Sequence, residues 1–452
     1  MPEIGLSRSV NQHYLDKVMD LAKVMDVAAT EDIVDARGMK LVAKGTRISA
    51  ALQERLIVHK LAKPLESSIS VDGAVDANLI ISTATRLIDT NAALGRILRA
   101  TACNGASPLS LLSKMEFGHG MGMLLSITQR ADLLEHSVMV ALLASCMAKK
   151  LHLSDDEQMA AALAGLLHDI GELYIDPAYL APGKRLLPHE WAHIVVHPRL
   201  GQMLVNELES YPLSVGRAVA EHHERFNGGG YPRQVVGNNI SAPGQAVAVA
   251  EMISGVLTAD HPLERAELAL KIIPGEHPHD LVAVVSGALR AQFREEPVLA
   301  PEYFEGEGVQ RLFWRISSTL ETGQNLLDGP SAKSARTIDL LRQTMGRVKA
   351  IERAFIGTGL DVYLKTNHGM ASDLAFEKAV ATCEIQWRLR DIARDLALHT
   401  GTPDEKSVFA ALITLLDDDA TTSIKVAAAS SPALAPAIHL PASFAGSQPL
   451  GA

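Results

Sequence analysis

Eight residues between positions 132 and 251 stand out as candidate metal ligands: Asp132, His136, His168, Asp169, His197, His222, His223 and Glu251. Five imidazoles with carboxylates and no thiolate favour iron or manganese, with zinc as the alternative. Asp132 and His136 are spaced four apart, so on a helix both would face the same ion. Two cations a few ångströms apart can share a water, lower its pKa towards neutrality and hold a phosphoryl oxygen while charge builds on it. Hydrolysis of a phosphate ester is therefore the chemistry this donor set predicts, with Asp169 as the candidate catalytic residue.

Such ligands need rigid carriers. Ser154-Asp-Asp-Glu157 is a capping-box pattern, which predicts a helix starting near Asp155 that carries His168 and Asp169 in its last turn, just before Gly171. His222 and His223 follow the helical run Val215 to Glu221, and Glu251 follows Ala246 to Ala250. From about 128 to 290 the apolar spacing is helical almost throughout. A bundle that projects histidines and carboxylates inward from helix ends is the architecture expected for two ions.

These residues resemble the HD-GYP family, a branch of the HD-domain phosphohydrolases whose members cleave cyclic di-GMP. His168-Asp169-Ile-Gly171 is similar to the family's HD motif, and His222-His223-Glu224 followed by Gly230-Tyr231-Pro232 to its HHE and GYP motifs. The resemblance covers about 130 to 262. It places His136 and His197 as flanking ligands, Glu251 where an aspartate is usual, and Asp132 at the acidic position that adds a third ion in some members. It implies a mainly α fold, an HD-type helical bundle, binding two or three divalent ions and acting on a cyclic dinucleotide or other small phosphate ester. Around the substrate it places residue 172, Gly230, Tyr231 and Pro232.

The sequence also departs from the family. The lysine of HD-x-G-Lys, which contacts a substrate phosphate, is Glu172 here; Asn227 and Ser254 stand where aspartates are common, and the arginine after the last ligand is missing. Lys184, Arg185, Arg225 and Arg233 are the candidate cations to compensate, which the sequence alone does not place. A metal-dependent phosphodiesterase is the leading expectation. The alternative is a catalytically weak relative that binds metal, nucleotide or a signalling partner through the GYP loop.

The rest of the chain frames this domain. Residues 1–75 alternate helical and short extended patterns and predict a small α+β module, with turn glycines at Gly38 and Gly45. Residues 76–127 predict a helical connector broken by a glycine-rich turn at Gly118 to Gly122, and 128–300 the metal domain. A break at Gly306 to Gly308 precedes a C-terminal helical region over 301–405, suited to a homodimer, in which Leu340, Met345, Val348, Ile351 and Phe355 form a core stripe. Residues 406–452 predict a short helix and a tail, disordered from Ala427 by its Ala/Pro/Ser composition.

Composition narrows the class. The 452 residues carry a net charge of −10, 47% hydrophobic residues and a mean hydropathy of +0.11, which fits a globular chain with real cores. No basic tract marks a DNA or RNA partner. No apolar run approaches the ~18 residues of a membrane helix, and the amino terminus lacks a signal-peptide pattern, so a cytoplasmic protein is expected. Three scattered cysteines suit reduced packing residues.

Overall fold

The computed structural model describes residues 9–101, 107–131, 133–181, 184, 186–259, 261–290, 306–329, 334–357 and 372–417. Asp132, Arg185 and the tail from Ala427 lie outside them. The N-terminal part runs α1 (Gln12–Ala22), β1 (Val27–Ala29), β2 (Ile33–Val34), β3 (Lys40–Val42), α2 (Ala50–Val58) and β4 (Ile69–Val71). β1 pairs antiparallel with β4, Val27 opposite Val71, and β2 with β3, Ile33 opposite Val42. Gly38 joins β2 to β3 at a φ of +85°, where a side chain would be strained.

Four helices follow: α3 (Ala77–Thr90), α4 (Ala92–Ala100), α5 (Pro108–Leu112) and α6 (His119–Arg130). Asp76, Asn91 and Ser107 cap the first three through their side chains. The glycine-rich stretch at 118–122 is not the turn its composition predicts but the start of α6. A Cβ on Gly120 would lie 2.8 Å from the Glu66 carbonyl oxygen, and one on Gly122 3.2 Å from the Ala74 side chain. The glycines are there so that the helix can lie against the N-terminal module.

The middle of the chain is helical: α7 (Leu134–Lys150), α8 (Asp155–Leu167), α9 (Pro188–Ile194), α10 (His197–Leu208), α11 (Leu213–Glu221), α12 (Ala242–Ser254), α13 (Pro262–Lys271) and α14 (His279–Arg290). α8 starts on the expected capping box, with both reciprocal bonds between Ser154 and Glu157 present. α7 is buried on every face from Ser137 to Ala148, as befits the central helix of a bundle rather than a surface one. α8 and α12 pack on it closely. At Gly165 a Cβ would lie 2.9 Å from the Ala141 backbone, and the alanine runs of α8 and α12 keep the axes near enough for residues at their ends to meet.

The C-terminal helices are α15 (Gly306–Asp328), α16 (Ala335–Gly357), α17 (Ser372–His399) and α18 (Pro403–Leu416). Gly306 to Gly308 open α15 rather than break the chain, since glycine is tolerated in a first turn. Met345, Val348, Ile351 and Phe355 are buried, as the stripe predicts. One hydrophobic core runs from Tyr14 to Ala288 and a second from Ile272 to Leu416. Arg388 of α17 ties the two together: its guanidinium is 2.6 Å from both Glu276 and Glu384 and also donates to the Ala269 carbonyl. Among the described residues no single helix is long and apolar enough to cross a membrane.

Candidate metal centre

Every gathered ligand sits at or near a helix end. His136 is in the first turn of α7, His168 and Asp169 follow α8, His197 opens α10, His222 and His223 follow α11, and Glu251 is in the last turn of α12. Packing of these helices brings seven of the eight expected ligands into two groups, in each of which the ligand atoms lie within 4.8 Å of one another. His136, His168, Asp169 and Glu251 form the first, and Asp169, His197, His222 and His223 the second. The eighth, Asp132, precedes α7 and lies outside the described residues.

Asp169 belongs to both groups, one oxygen to each. Its Oδ2 is 2.9 Å from His168 Nε2 and 3.9 Å from His136 Nε2; its Oδ1 is 3.4 Å from His197 Nε2 and 3.5 Å from His222 Nε2. Glu251 Oε2 closes the first group at 3.0 Å from His136 and 3.2 Å from His168. Burial alone would raise the Asp169 pKa, but the surrounding histidines outweigh it and hold the carboxyl well below its usual range. The same balance, against His136 and His168, keeps Glu251 ionised.

The imidazoles are preset as ligands. His168, His197 and His222 each donate Nδ1–H to the carbonyl three residues earlier, on Gly165, Ile194 and Val219, at 2.8, 2.8 and 2.6 Å. A carbonyl can only accept, so Nδ1 carries the proton and each neutral ring turns a lone pair on Nε2 towards the centre. His197 and His222 Nε2 then face each other at 3.0 Å, and His136 and His168 at 3.3 Å. Two lone pairs at that distance repel unless a cation or a proton sits among them. Burial and the neighbouring histidines lower His222 to about 4, which removes the proton as its answer near neutrality. At His168 burial lowers the pKa but Asp169 and Glu251 overcome it and raise it well above normal, so there a proton and a metal compete for one lone pair. His223 Nε2 is buried with no hydrogen-bond partner, as an unused ligand atom would be. The donor set fits divalent cations.

The residues expected around the substrate divide. Gly230 is wedged against the HHE backbone: a Cβ there would lie 2.3 Å from the His223 carbonyl oxygen and 2.4 Å from the Arg225 nitrogen. Tyr231 stacks on the His223 ring at 4.6 Å and meets Trp191 edge-on at 5.3 Å, and it precedes Pro232 through a cis peptide bond. Arg225 is buried beside this turn. Lys184 is not brought in: it is exposed and pairs with Glu190 at 3.0 Å. Arg233 spends its charge on Glu221, and Glu221 and Glu224 hold the backbone at Ser241, Arg233 and Val235 rather than any ligand imidazole.

Glu172 lies in the 3-10 turn Ile170–Tyr174 and is only 4% exposed. Burial, reinforced by Asp169 and Glu251, raises its pKa well above the usual carboxylate range. Sequence reasoning missed what holds this turn. Lys17 of α1 donates to the Leu173 carbonyl at 2.8 Å, Asn11 to the Tyr174 carbonyl at 3.1 Å, and Tyr14 stacks on the Tyr174 ring at 5.0 Å. The Tyr174 hydroxyl donates to Glu66. Ser254, a departure from the family pattern, meets His136 Nδ1 at 3.0 Å and so orients that ring. No signal in the sequence marks Lys17 or Tyr14.

Gly171 shows how little room the turn has, because a Cβ there would lie 2.1 Å from the His197 carbonyl oxygen and 2.9 Å from the Gly201 nitrogen. Gly171→Ala is expected to cost about 1–3 kcal/mol or more of stability, the usual range for overpacking, and to lower metal content by displacing His197. Thermal unfolding and metal analysis check this; wild-type values in both would refute it.

A family model described as an HD domain matches residues 121–277. The cyclic di-GMP phosphodiesterase response regulator RpfG of Xanthomonas campestris is 37% identical over 118 residues, 26% of this chain and 31% of that protein. A cyclic di-GMP phosphodiesterase of Pseudomonas aeruginosa is 28% identical over 266 residues, 57% of this chain and 63% of its own. A 3′3′-cGAMP-specific phosphodiesterase of Vibrio cholerae is 31% identical over 131 residues, 29% of this chain and 28% of its own. The chain thus spans less than two thirds of the length of each of these relatives. A solved HDG"Y"P protein from Bdellovibrio bacteriovorus aligns over 60% of this chain and 97% of its own at 17% identity and a TM-score of 0.33, too loosely to argue from. The matched domain contains all seven gathered candidate ligands together with the glycine-tyrosine-proline turn stacked on one of them, and residues 121–277 are an HD domain of the HD-GYP type.

Proposed function

We propose that the protein is a metal-dependent phosphodiesterase that hydrolyses cyclic di-GMP or a close cyclic dinucleotide. The observation that carries the reading is Asp169, whose two oxygens each face one of two adjoining ligand groups. Named relatives that act on cyclic dinucleotides support the substrate class. His136, His168, Asp169 and Glu251 would hold one ion and Asp169, His197, His222 and His223 the other, with iron or manganese suited to the donors and zinc as the alternative. When bound, the ions supply Lewis acidity to the phosphoryl oxygens and a water of lowered pKa. The chain supplies the rest: carbonyl-locked imidazoles, a carboxylate between the groups, and a tyrosine-walled turn that limits solvent on the His223 side. In the hydrolysis a water oxygen bonds to phosphorus as the P–O ester bond breaks, leaving a linear dinucleotide.

One observation favours a second reading, in which the domain binds metal and nucleotide without turnover. Where the family has a phosphate-binding lysine, this chain has a buried glutamate. Metal analysis of the purified chain, with turnover of cyclic di-GMP in added manganese or ferrous iron, separates the two. The expected result is about two equivalents of metal, the number of ligand groups, and release of linear dinucleotide that a chelator abolishes. Metal-loaded protein that releases no more than metal alone would leave only the second reading.

A further inference from the structure

His223 differs from the other gathered histidines. His168, His197 and His222 are turned by main-chain carbonyls and His136 by Ser254, but among the described residues no hydrogen bond fixes the His223 ring. What sets its plane is the face of Tyr231, stacked on it at 4.6 Å with 29° between the rings. Such a stack is weak by itself, so His223 is held only as firmly as the turn that carries Tyr231.

Both ends of that turn are tied to helices that lie wholly outside the matched HD domain. At one end Arg347 of α16 donates to the Gly229 carbonyl at 3.2 Å; at the other the Gln234 amide donates to Asp395 of α17 at 2.9 Å. The two ties meet at one atom, because Asp395 Oδ2 also accepts from Arg347 Nη1 at 2.7 Å. The Arg347 and Asp395 side chains are only 24% and 21% exposed, so water screens the pair in part. A further contact comes from Arg394 of α17, which lies 5.3 Å over the Trp191 ring, the ring that meets Tyr231 edge-on. Between the turn and these helices a gap of about 50 Å³ remains, room for a few waters and nothing larger. Its charged groups are spent on one another, as in a clamp rather than a ligand site.

We infer that α16 and α17 clamp the Gly230-Tyr231 turn on His223, and that Arg347 is a positioning residue for the ion of the second ligand group. Arg347 joins Gly229 to Asp395, the turn is thereby closed, and Tyr231 keeps the His223 ring turned towards Asp169, His197 and His222. The first group, His136, His168, Asp169 and Glu251, has no member stacked on the turn. The clamp therefore acts on one ion of the two. This rests on the two-ion reading of the centre and not on turnover.

The test is calorimetric titration of the metal-free full chain with manganese, with urea unfolding alongside. Wild type is expected to bind two equivalents, one for each ligand group, and His223→Ala identifies the one that belongs to the second. Arg347→Met should weaken that equivalent about ten-fold, the lower end of the range for residues that orient metal ligands, and leave the other within about two-fold. Asp395→Ala, which removes the acceptor shared by both ties, should weaken the same equivalent. Arg347→Lys, which keeps a cation opposite Asp395, should recover part of the loss. Leu412→Ala is the control: Leu412 is fully buried in the C-terminal core and supplies no tie to the turn, so stability should fall with both affinities unchanged. If Leu412→Ala weakens the same ion as much as Arg347→Met does, or if Arg347→Met weakens both ions equally, the effect is a general loosening and the positioning role is overturned. Two wild-type affinities in Arg347→Met overturn the clamp and leave the two-ion reading standing, whereas a wild-type chain that binds no manganese sinks both.

Discussion

Asp169→Ala is expected to lower turnover of a cyclic dinucleotide by about a thousand-fold or more and to strip metal from both ligand groups at once. The reason is that one carboxylate serves both: among the described residues no other supplies an atom to each group. Bringing a water's pKa from 15.7 to near 7 is worth far more than a thousand-fold in available nucleophile, so the estimate assumes only partial loss of that effect. Removing the anion also leaves His168, His197 and His222 with their lone pairs converging and nothing between them. Metal analysis and initial rates measure the effect. A variant that keeps the wild-type metal complement would mean that the two groups are held independently, and the bridging role would have to be abandoned.

The second large effect concerns Glu172. From sequence alone, Glu172→Lys looks like a restoration that should return the family's phosphate contact and raise activity. The structure argues otherwise. The side chain is buried, with His168 and, more weakly, Lys17 of α1 as the cations acting on it; burial has lowered the pKa of Lys17 to about 8 despite Glu172 nearby. A second ammonium there would face Lys17 and find only Asp169 and Glu251, carboxylates already engaged with the clustered histidines, and poorly compensated buried charges of this kind typically cost about 3–5 kcal/mol. Glu172→Lys is therefore expected to lose stability of that order in urea unfolding, and Lys17→Met in the same chain to recover part of it. A variant of wild-type stability with faster cyclic di-GMP turnover would show that position 172 reaches substrate after all.

These two residues mark where sequence was informative and where it was not. The ligands were legible because each is a rare residue type ending an apolar helical run, and the capping box at Ser154 located the helix that carries His168. The helical character of 128–290 followed from periodicity for the same reason. What escaped was long-range. Lys17 lies more than 150 residues from the carbonyls it holds, at 156 from Leu173, and α1 reads as an ordinary amphipathic helix. The tie of Arg388 to Glu276 and the Ala269 carbonyl depends on how one bundle docks on another. Gly120 and Gly122 were misread because composition says turn, whereas the reason for them is a neighbouring backbone that cannot be seen locally. Likewise the acceptors for His168, His197 and His222 are main-chain carbonyls, which no residue type announces.

The grip of α1 on the turn after the HD motif has a thermodynamic consequence. Asn11, Tyr14 and Lys17 bind a five-residue segment whose first neighbour is Asp169 and whose Gly171 abuts His197, so docking of the module and seating of the ions draw on the same backbone conformation. Two binding events that share a conformation have a coupling free energy, and it acts equally in both directions. If loosening α1 weakens the affinity of the centre for its ions, the ions oppose that loosening by the same factor. Helix α1 and bound ions would thus favour the same turn conformation, each strengthening the seating of the other.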